Sequence, residues 1–267
     1  MCGKFFKKNF SSVTVCFFLF SFLFSACGLE SLYFLDPPKC IAEVNFGNEN
    51  RVLDEIKFIT ADNSDAEKEI KVQGTAVYYK IFDDEQAARD SYNYITSNNS
   101  SSDISAGPNS IINVKKYSPL ISEPIAPLQP YNLSKDSILV DNDFVKSLGK
   151  SVTVKIRLNK YGTEFPCGVY FSDALHNDVL CAYPRRHYQA GARKLGFEFS
   201  RGNDKVKNPI PQQTDYDVSM GSSSNSDGKW YVDLWAFSQG IDNSYTYSYS
   251  RAVHLGCIKI EESEYDN

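Results

Sequence analysis

Short alternations of apolar and polar residues constrain the fold of this chain more than any other feature of its sequence. Between Ser151 and Leu158 every second residue is apolar, which places those side chains on one face of a strand. From Lys229 to Phe237 both alternating sets are apolar, which predicts a central strand covered on both faces. Roughly a dozen such runs, separated by turn residues, predict a mainly β fold: an antiparallel β-sandwich, jelly-roll-like in form.

One stretch has a helical period instead. Asp83 is a good N-cap residue, and apolar side chains then recur at helical spacing at Ala88, Tyr92 and Ile95. The pattern predicts one short helix around residues 84–97. We expect this helix to lie across one face or one end of a sheet.

A proline-rich stretch divides the β-forming parts of the chain. Four prolines lie within twelve residues, from Pro119 to Pro130, which argues against a central strand there. Residues 40–262 therefore form either one β-rich domain, in which this stretch is a crossover, or two β domains split at about 119–135.

The N-terminal leader carries three lysines followed by an apolar run from Val13 to Phe24. A helix of this length covers about 18 Å, well short of the roughly 30 Å hydrocarbon core of a bilayer. The leader therefore predicts a secretory signal, with an uncleaved single-span anchor as the alternative.

The residues that end this run, Leu23-Phe24-Ser25-Ala26-Cys27, resemble a bacterial lipobox in its relaxed spirochaete form. The run CGLESLYFLDPPK also resembles the start of treponemal lipoproteins. The resemblance covers only the first thirty residues or so and implies three things: residues 1–26 are a signal peptide, Cys27 is acylated, and residues 27–39 form a lipidated tether. The residue after Cys27 is Gly28, not the aspartate that resembles an inner-membrane retention signal in enteric bacteria. We therefore expect the protein in the outer membrane or at the cell surface.

The charge of the predicted mature chain excludes some partners. Its net charge is −8, because the leader holds three of the 28 basic residues and none of the 33 acidic ones. An acidic balance argues against nucleic acid and against polybasic attachment to anionic lipid. The expected membrane contact is through the acyl chains on Cys27 alone.

Four cysteines of the predicted mature chain suit disulfides in an oxidising compartment. If strands 166–171 and 178–183 pair so that Val169 faces Val179, Cys167 directly faces Cys181 within disulfide reach. We therefore expect a Cys167–Cys181 disulfide, with two reduced thiols or a zinc site as the alternatives. The four cysteines are Cys40, Cys167, Cys181 and Cys257.

Two surface patches are candidate ligand contacts. If residues 244–250 form a strand, three tyrosines lie on one of its faces: Tyr245, Tyr247 and Tyr249. They could stack on a glycan or contact a partner protein, and the alternative is that they line the core. Arg185 and Arg186 lie in the one basic concentration of the chain, which either receives an anionic ligand or is a solvated loop.

The sequence contains no catalytic motif such as GxSxG, HExxH or a P-loop. We therefore expect that the protein is not an enzyme and that it holds no cofactor and no metal ion. The expected function is that of a binding module on the cell envelope, whose partner is a glycan or an envelope or host protein. The alternatives are a secreted β-sandwich glycoside hydrolase and a structural subunit of envelope assembly.

Overall fold

The computed structural model describes residues 34–42, 55–120, 151–158, 168–172, 177–182, 184–189, 192–195, 197, 199–201, 210–221 and 227–264. The chain from Phe34 to Asn267 forms one compact unit. The predicted signal peptide and the acylation site Cys27 lie outside the described residues.

The described part of the chain is mainly β, as the sequence predicted. Its strands, in chain order, are β1 (Lys39–Ala42), β2 (Glu55–Ile59), β3 (Ile70–Phe82), β4 (Ser118–Pro119), β5 (Thr153–Arg157), β6 (Gly168–Ser172), β7 (Val179–Ala182), β8 (Arg185–Gln189), β9 (Ala192–Leu195), β10 (Ser200–Arg201), β11 (Val218–Ser219), β12 (Lys229–Asp242), β13 (Tyr247–Tyr249), β14 (Val253–Glu261) and β15 (Ser263–Glu264).

Sheet A contains five antiparallel strands in the order β1-β2-β5-β6-β7. On β2, Ile56 and Phe58 are fully buried and lie opposite Ile156 and Val154 of β5. The alternation predicted for residues 151–158 is confirmed, because all four of its apolar side chains are buried: Val152, Val154, Ile156 and Leu158.

Sheet B is built around two long antiparallel strands, β3 and β12. The first half of β12 also pairs with β14 and its last residues pair with β13, while β4 and the parallel strand β11 lie against β3. Trp230, Val232 and Leu234 are buried on one face of β12, and Trp235 and Phe237 on the other. The predicted central, doubly covered strand is therefore confirmed.

Three layers result from this arrangement. One face of sheet A packs against one face of sheet B and forms the larger core, which includes Phe58, Ile156 and Val232. The opposite face of sheet B packs against helical residues, such as Ala88 and Ile95, in a second core. An antiparallel β-sandwich with a helix on one outer face is thus observed.

Both large sheets combine strands from before and after the proline-rich stretch. β2 pairs with β5 in sheet A, and β3 pairs with β12 in sheet B. The strands described here therefore do not divide into two β domains at residues 119–135.

Helix α1 (Glu85–Asn99) matches the predicted helix, with a correction at its start. The N-cap is Asp84 rather than Asp83, since the Asp84 carboxylate accepts a hydrogen bond from the backbone N–H of Ala87. Asp83 instead accepts one from the backbone N–H of Gly221. The sequence did not predict the helical residues that follow: α2 (Ala106–Asn109) and a π-helical turn (Ser110–Val114).

The predicted hairpin of β6 and β7 forms with a different register. Val179 pairs with Phe171 and not with Val169, and a bulge after Val169 shifts the pairing by one more residue, so that Val169 pairs with Ala182. The alignment from which the Cys167–Cys181 disulfide was predicted is therefore wrong. Cys167 lies outside the described residues, so the disulfide itself stays a prediction.

Candidate functional site

The three candidate tyrosines lie at the hairpin that joins β12 to β13, here called the tyrosine hairpin. Its turn is held by Asp242, whose Oδ1 accepts hydrogen bonds of 2.8 Å from the backbone N–H groups of Ser244 and Thr246. Strand β13 includes Tyr247 and Tyr249 but not Tyr245, which lies in the turn with φ +61°. The expectation of three tyrosines on one strand face is therefore wrong for Tyr245.

The tyrosine hairpin presents aromatic rings that pass stepwise from solvent into the core. Tyr245 is 90% exposed and Tyr247 is 44% exposed. The Tyr247 ring stacks on Tyr249 at 6.1 Å with planes 8° apart, and Tyr249 meets the buried ring of Phe237 edge-on at 5.4 Å. Phe237 in turn stacks on Tyr78 at 5.3 Å. The Tyr247 ring is thus supported by a row of rings that ends in the core.

Two hydroxyl groups of this row, those of Tyr78 and Tyr249, remain neutral. Burial raises the pKa of Tyr78, and the neighbouring hydroxyls of Tyr249 and Tyr247 raise it further. Burial and then Tyr247 raise the pKa of Tyr249 in the same way. The hydroxyls can therefore donate hydrogen bonds at any physiological pH, so the patch combines apolar rings with polar, uncharged ends.

The two arginines of the second candidate patch have different surroundings. Arg185 is partly exposed, and its backbone N–H donates to the carbonyl of Leu120. Arg186 is only 1% exposed. Its guanidinium donates to both carboxylate oxygens of Asp217, at 3.0 and 2.8 Å, and to Asp215 at 2.8 Å. Arg186 was expected either to contact an anionic ligand or to lie in a solvated loop, and both expectations are therefore wrong.

The ion cluster around Arg186 is completed by Tyr79. Its hydroxyl donates to Asp217 at 2.7 Å and accepts from the backbone N–H of His187 at 2.7 Å. Burial alone would lower the pKa of Arg186, but the charge and hydrogen bonds of Asp217 raise it above its ordinary value. Asp215 and Asp217 are thus two close carboxylates, yet one guanidinium occupies both, which suits a structural ion pair better than acid–base chemistry.

A second buried polar cluster lies under helix α1. Asp233 is fully buried, and its Oδ2 accepts hydrogen bonds from the Tyr117 hydroxyl at 2.7 Å and the Trp235 indole N–H at 2.8 Å. Its Oδ1 lies 2.7 Å from His254 Nε2. Because an ionised carboxylate only accepts, Nε2 carries the proton in this contact.

The Asp233 cluster joins sheet B to the helical layer. Since the Tyr117 hydroxyl donates to Asp233, the Ser91 hydroxyl of α1, 3.0 Å away, donates to Tyr117. The His254 ring lies against Tyr92 of α1, with centroids 4.6 Å apart. The serine therefore bonds the tyrosine and not the histidine, so the cluster does not have the geometry of a nucleophilic triad.

Sequence reasoning missed both buried clusters. Asp233 carried a usable signal, because a carboxylate inside a strand that is apolar on both faces must find buried donors. Arg186 carried none, since its neighbours in sequence are those of an ordinary basic loop.

The described residues contain no group of three or more histidine, cysteine, aspartate or glutamate side chains that could hold a metal ion. In the same part of the chain, no helix is long and apolar enough to cross a membrane. No protein-family model, curated protein or solved structure matches the sequence.

Proposed function

We propose that this protein is a cell-envelope lipoprotein, anchored through acyl groups on Cys27, whose β domain is a binding module that uses the tyrosine hairpin. One observation carries the binding role: the Tyr247 ring is 44% exposed although it stacks on Tyr249, whose own ring meets the buried Phe237 edge-on. A ring already fixed in place loses little conformational freedom when a partner packs against it.

The backbone of Tyr245 supports a role other than stability. A left-handed backbone is unfavourable for a bulky residue by about 1–2 kcal/mol, and a ring that is 90% exposed recovers little of this by packing. Glycine or asparagine would suit the turn better. The tyrosine is therefore better explained by contact with a partner than by folding.

The anchor is supported by the leader sequence. A short apolar run with small residues before Cys27 suits signal cleavage and acylation, and the folded domain starts only a few residues later. Two or more acyl chains hold a protein firmly in a membrane, so the domain needs no polybasic patch. We propose the outer membrane or the cell surface as its location.

Metabolic labelling with palmitate tests the anchor. Wild type is expected to incorporate label and Cys27→Ala is not, while Cys16→Ala, whose cysteine leaves with the signal, labels as wild type does. Equal labelling of wild type and Cys27→Ala would refute the acylation.

Sedimentation with isolated cell envelopes tests the binding role. The assay uses protein that starts at Gly28 and so lacks both the apolar leader and the acyl chains, and only the domain's own affinity is measured. There, Tyr247→Ser is expected to weaken binding by about tenfold, the typical loss on removing an exposed aromatic anchor. The control is Tyr216→Ser, because Tyr216 is 63% exposed but lies away from the hairpin. Equal binding of the two variants would contradict the proposal.

A further inference from the structure

The first residues of the folded domain are fixed to sheet B beside the tyrosine hairpin. The carbonyl of Asp36 accepts a hydrogen bond of 2.6 Å from the Ser238 hydroxyl, and its N–H donates to Asn63 Oδ1 at 2.6 Å. Asn63 also donates to Ser238 at 3.2 Å. Ser238 directly precedes Gln239, which pairs with Tyr249 of β13. The start of the domain and the tyrosine hairpin therefore share one end of sheet B.

Contacts of the neighbouring residue agree with this position. Leu35 is buried, and its side chain lies 3.5 Å from where a Cβ on Gly240 would be. Gly240 pairs with Ser248, the residue between the two tyrosines of β13. Phe34, the next residue toward the N-terminus, is 59% exposed. An exposed phenylalanine thus leads into the domain at the tyrosine end.

The opposite end of sheet B lies a strand's length away. Lys71, near the start of β3, pairs with Ile241 at the hairpin, whereas Ile81 pairs with Val218, two residues after Tyr216. The thirteen residues of β3 span roughly 40 Å at 3.3 Å per residue. The seven peptide steps from Cys27 to Phe34 span at most about 25 Å.

We infer that the tyrosine hairpin and Phe34 contact the lipid headgroup layer of the membrane that holds the acyl chains of Cys27. This inference rests on the proposed function, and it names the partner of the same surface. The tether is too short for the far end of the domain to turn toward the bilayer while the tyrosine end faces away from it. Tyrosine side chains, with an apolar ring and a polar end, suit the boundary between headgroups and acyl chains, where aromatic side chains are enriched.

The expected contact is aromatic and not electrostatic, because the exposed carboxylates of Asp36 and Asp62 lie at this end of the domain together with Lys71. The carboxylate of Asp242 is already occupied by two backbone N–H groups, and the exposed Lys71 lies opposite Ile241. The acyl anchor and the aromatic contact together hold the domain in one orientation, with the Arg186 end pointing away from the bilayer.

Quenching of a single tryptophan by brominated lipid tests this orientation. The mature protein, acylated at Cys27, is reconstituted in phosphatidylethanolamine–phosphatidylglycerol vesicles whose acyl chains are brominated near the headgroups. Two variants are compared, Tyr245→Trp and the control Tyr216→Trp, both at exposed positions. The native tryptophans, Trp230 and Trp235, are 1% and 2% exposed and give a constant background.

Tryptophan at position 245 is expected to emit at shorter wavelength and to lose at least about twofold more emission than tryptophan at position 216. Equal quenching of the two variants in protein that floats with the vesicles would overturn the orientation and leave the anchor standing. Protein that does not float would instead overturn the anchor. A blue shift at position 245 caused by soluble envelope glycan or protein, without lipid, would also overturn the membrane contact in favour of those partners.

Discussion

Replacing Asp233 by alanine tests the cluster that joins sheet B to helix α1. The carboxylate is fully buried and accepts hydrogen bonds from Tyr117, Trp235 and His254, which lie in three different parts of the chain. Alanine removes the acceptor of all three contacts from a position that is fully buried.

The loss of stability follows from this geometry. Each buried donor left unsatisfied costs about 1–3 kcal/mol, and the Tyr117 and Trp235 donors have no access to solvent. His254 is at the margin, with 8% of its side chain exposed, and contributes less. Asp233→Ala is therefore expected to lower the free energy of unfolding by about 3–5 kcal/mol. For a domain of this size the corresponding fall in Tm is roughly 6–20 °C.

Asparagine at the same position separates hydrogen bonding from charge. Its carbonyl oxygen can accept from Tyr117 and Trp235, and its amide N–H can donate to a neutral His254 whose proton has moved to Nδ1. All three contacts are retained as weaker neutral bonds, so Asp233→Asn is expected to cost only about 1–2 kcal/mol.

Urea unfolding followed by tryptophan fluorescence measures all the variants. Glu261→Ala is the control, since the Glu261 side chain is 64% exposed and its ion pair with Lys259 is worth less than about 1 kcal/mol. A loss below about 1 kcal/mol for Asp233→Ala, or equal losses for alanine and asparagine, would refute the reasoning.

Three further predictions concern other parts of the chain. Arg186→Ala leaves Asp217 buried and uncompensated, so we expect a loss of about 3–5 kcal/mol in chemical unfolding; a loss under 1 kcal/mol would contradict the buried ion pair. Burial alone would raise the pKa of Glu55, but hydrogen bonds from Lys57 and Arg157 lower it below its ordinary value of 4.5. The contribution of Glu55 to stability is then full above pH 4.5 and is lost as the pH falls through the lower folded pKa. When the free energy of unfolding is measured against pH, Glu55→Gln should therefore show a shallower decrease at acid pH than wild type. An unchanged decrease would count against the ion pair. Tyr245→Gly relieves the left-handed backbone and should raise stability by roughly 0.5–1 kcal/mol while weakening vesicle contact; a fall in both would mean that the ring serves folding.

Much of the fold could be predicted from the sequence, because alternation along a strand is a local property that directly sets which face is buried. Residues 151–158 and 229–237 behave as their patterns predict. The helix start was displaced by one residue since Asp83 and Asp84 both suit an N-cap. Which of the two caps the helix depended on Gly221, 138 residues from Asp83, whose backbone N–H donates a hydrogen bond to the Asp83 carboxylate.

The candidate site could be predicted only in part. Tyr247 and Tyr249 share a strand face as their spacing indicates, but Tyr245 does not, because the turn ends the strand before it. Arg186 resembles a solvated basic residue in sequence. Its two carboxylate partners lie 29 and 31 residues further along the chain, where no local pattern links them to it.

The sequence by itself determined that the chain forms sheets, which apolar residues of the strands at 151–158 and 229–237 are buried and where the helix lies. The predicted acyl anchor at Cys27 also comes from sequence alone and stays a prediction. Only the tertiary structure decided that Asp233 meets Tyr117 and His254, that Arg186 is inside, and that the domain starts beside its exposed tyrosines. The physical reason is that burial pattern follows from neighbours along the chain, whereas hydrogen bonds and ion pairs between distant residues depend on strand register and on how the layers pack.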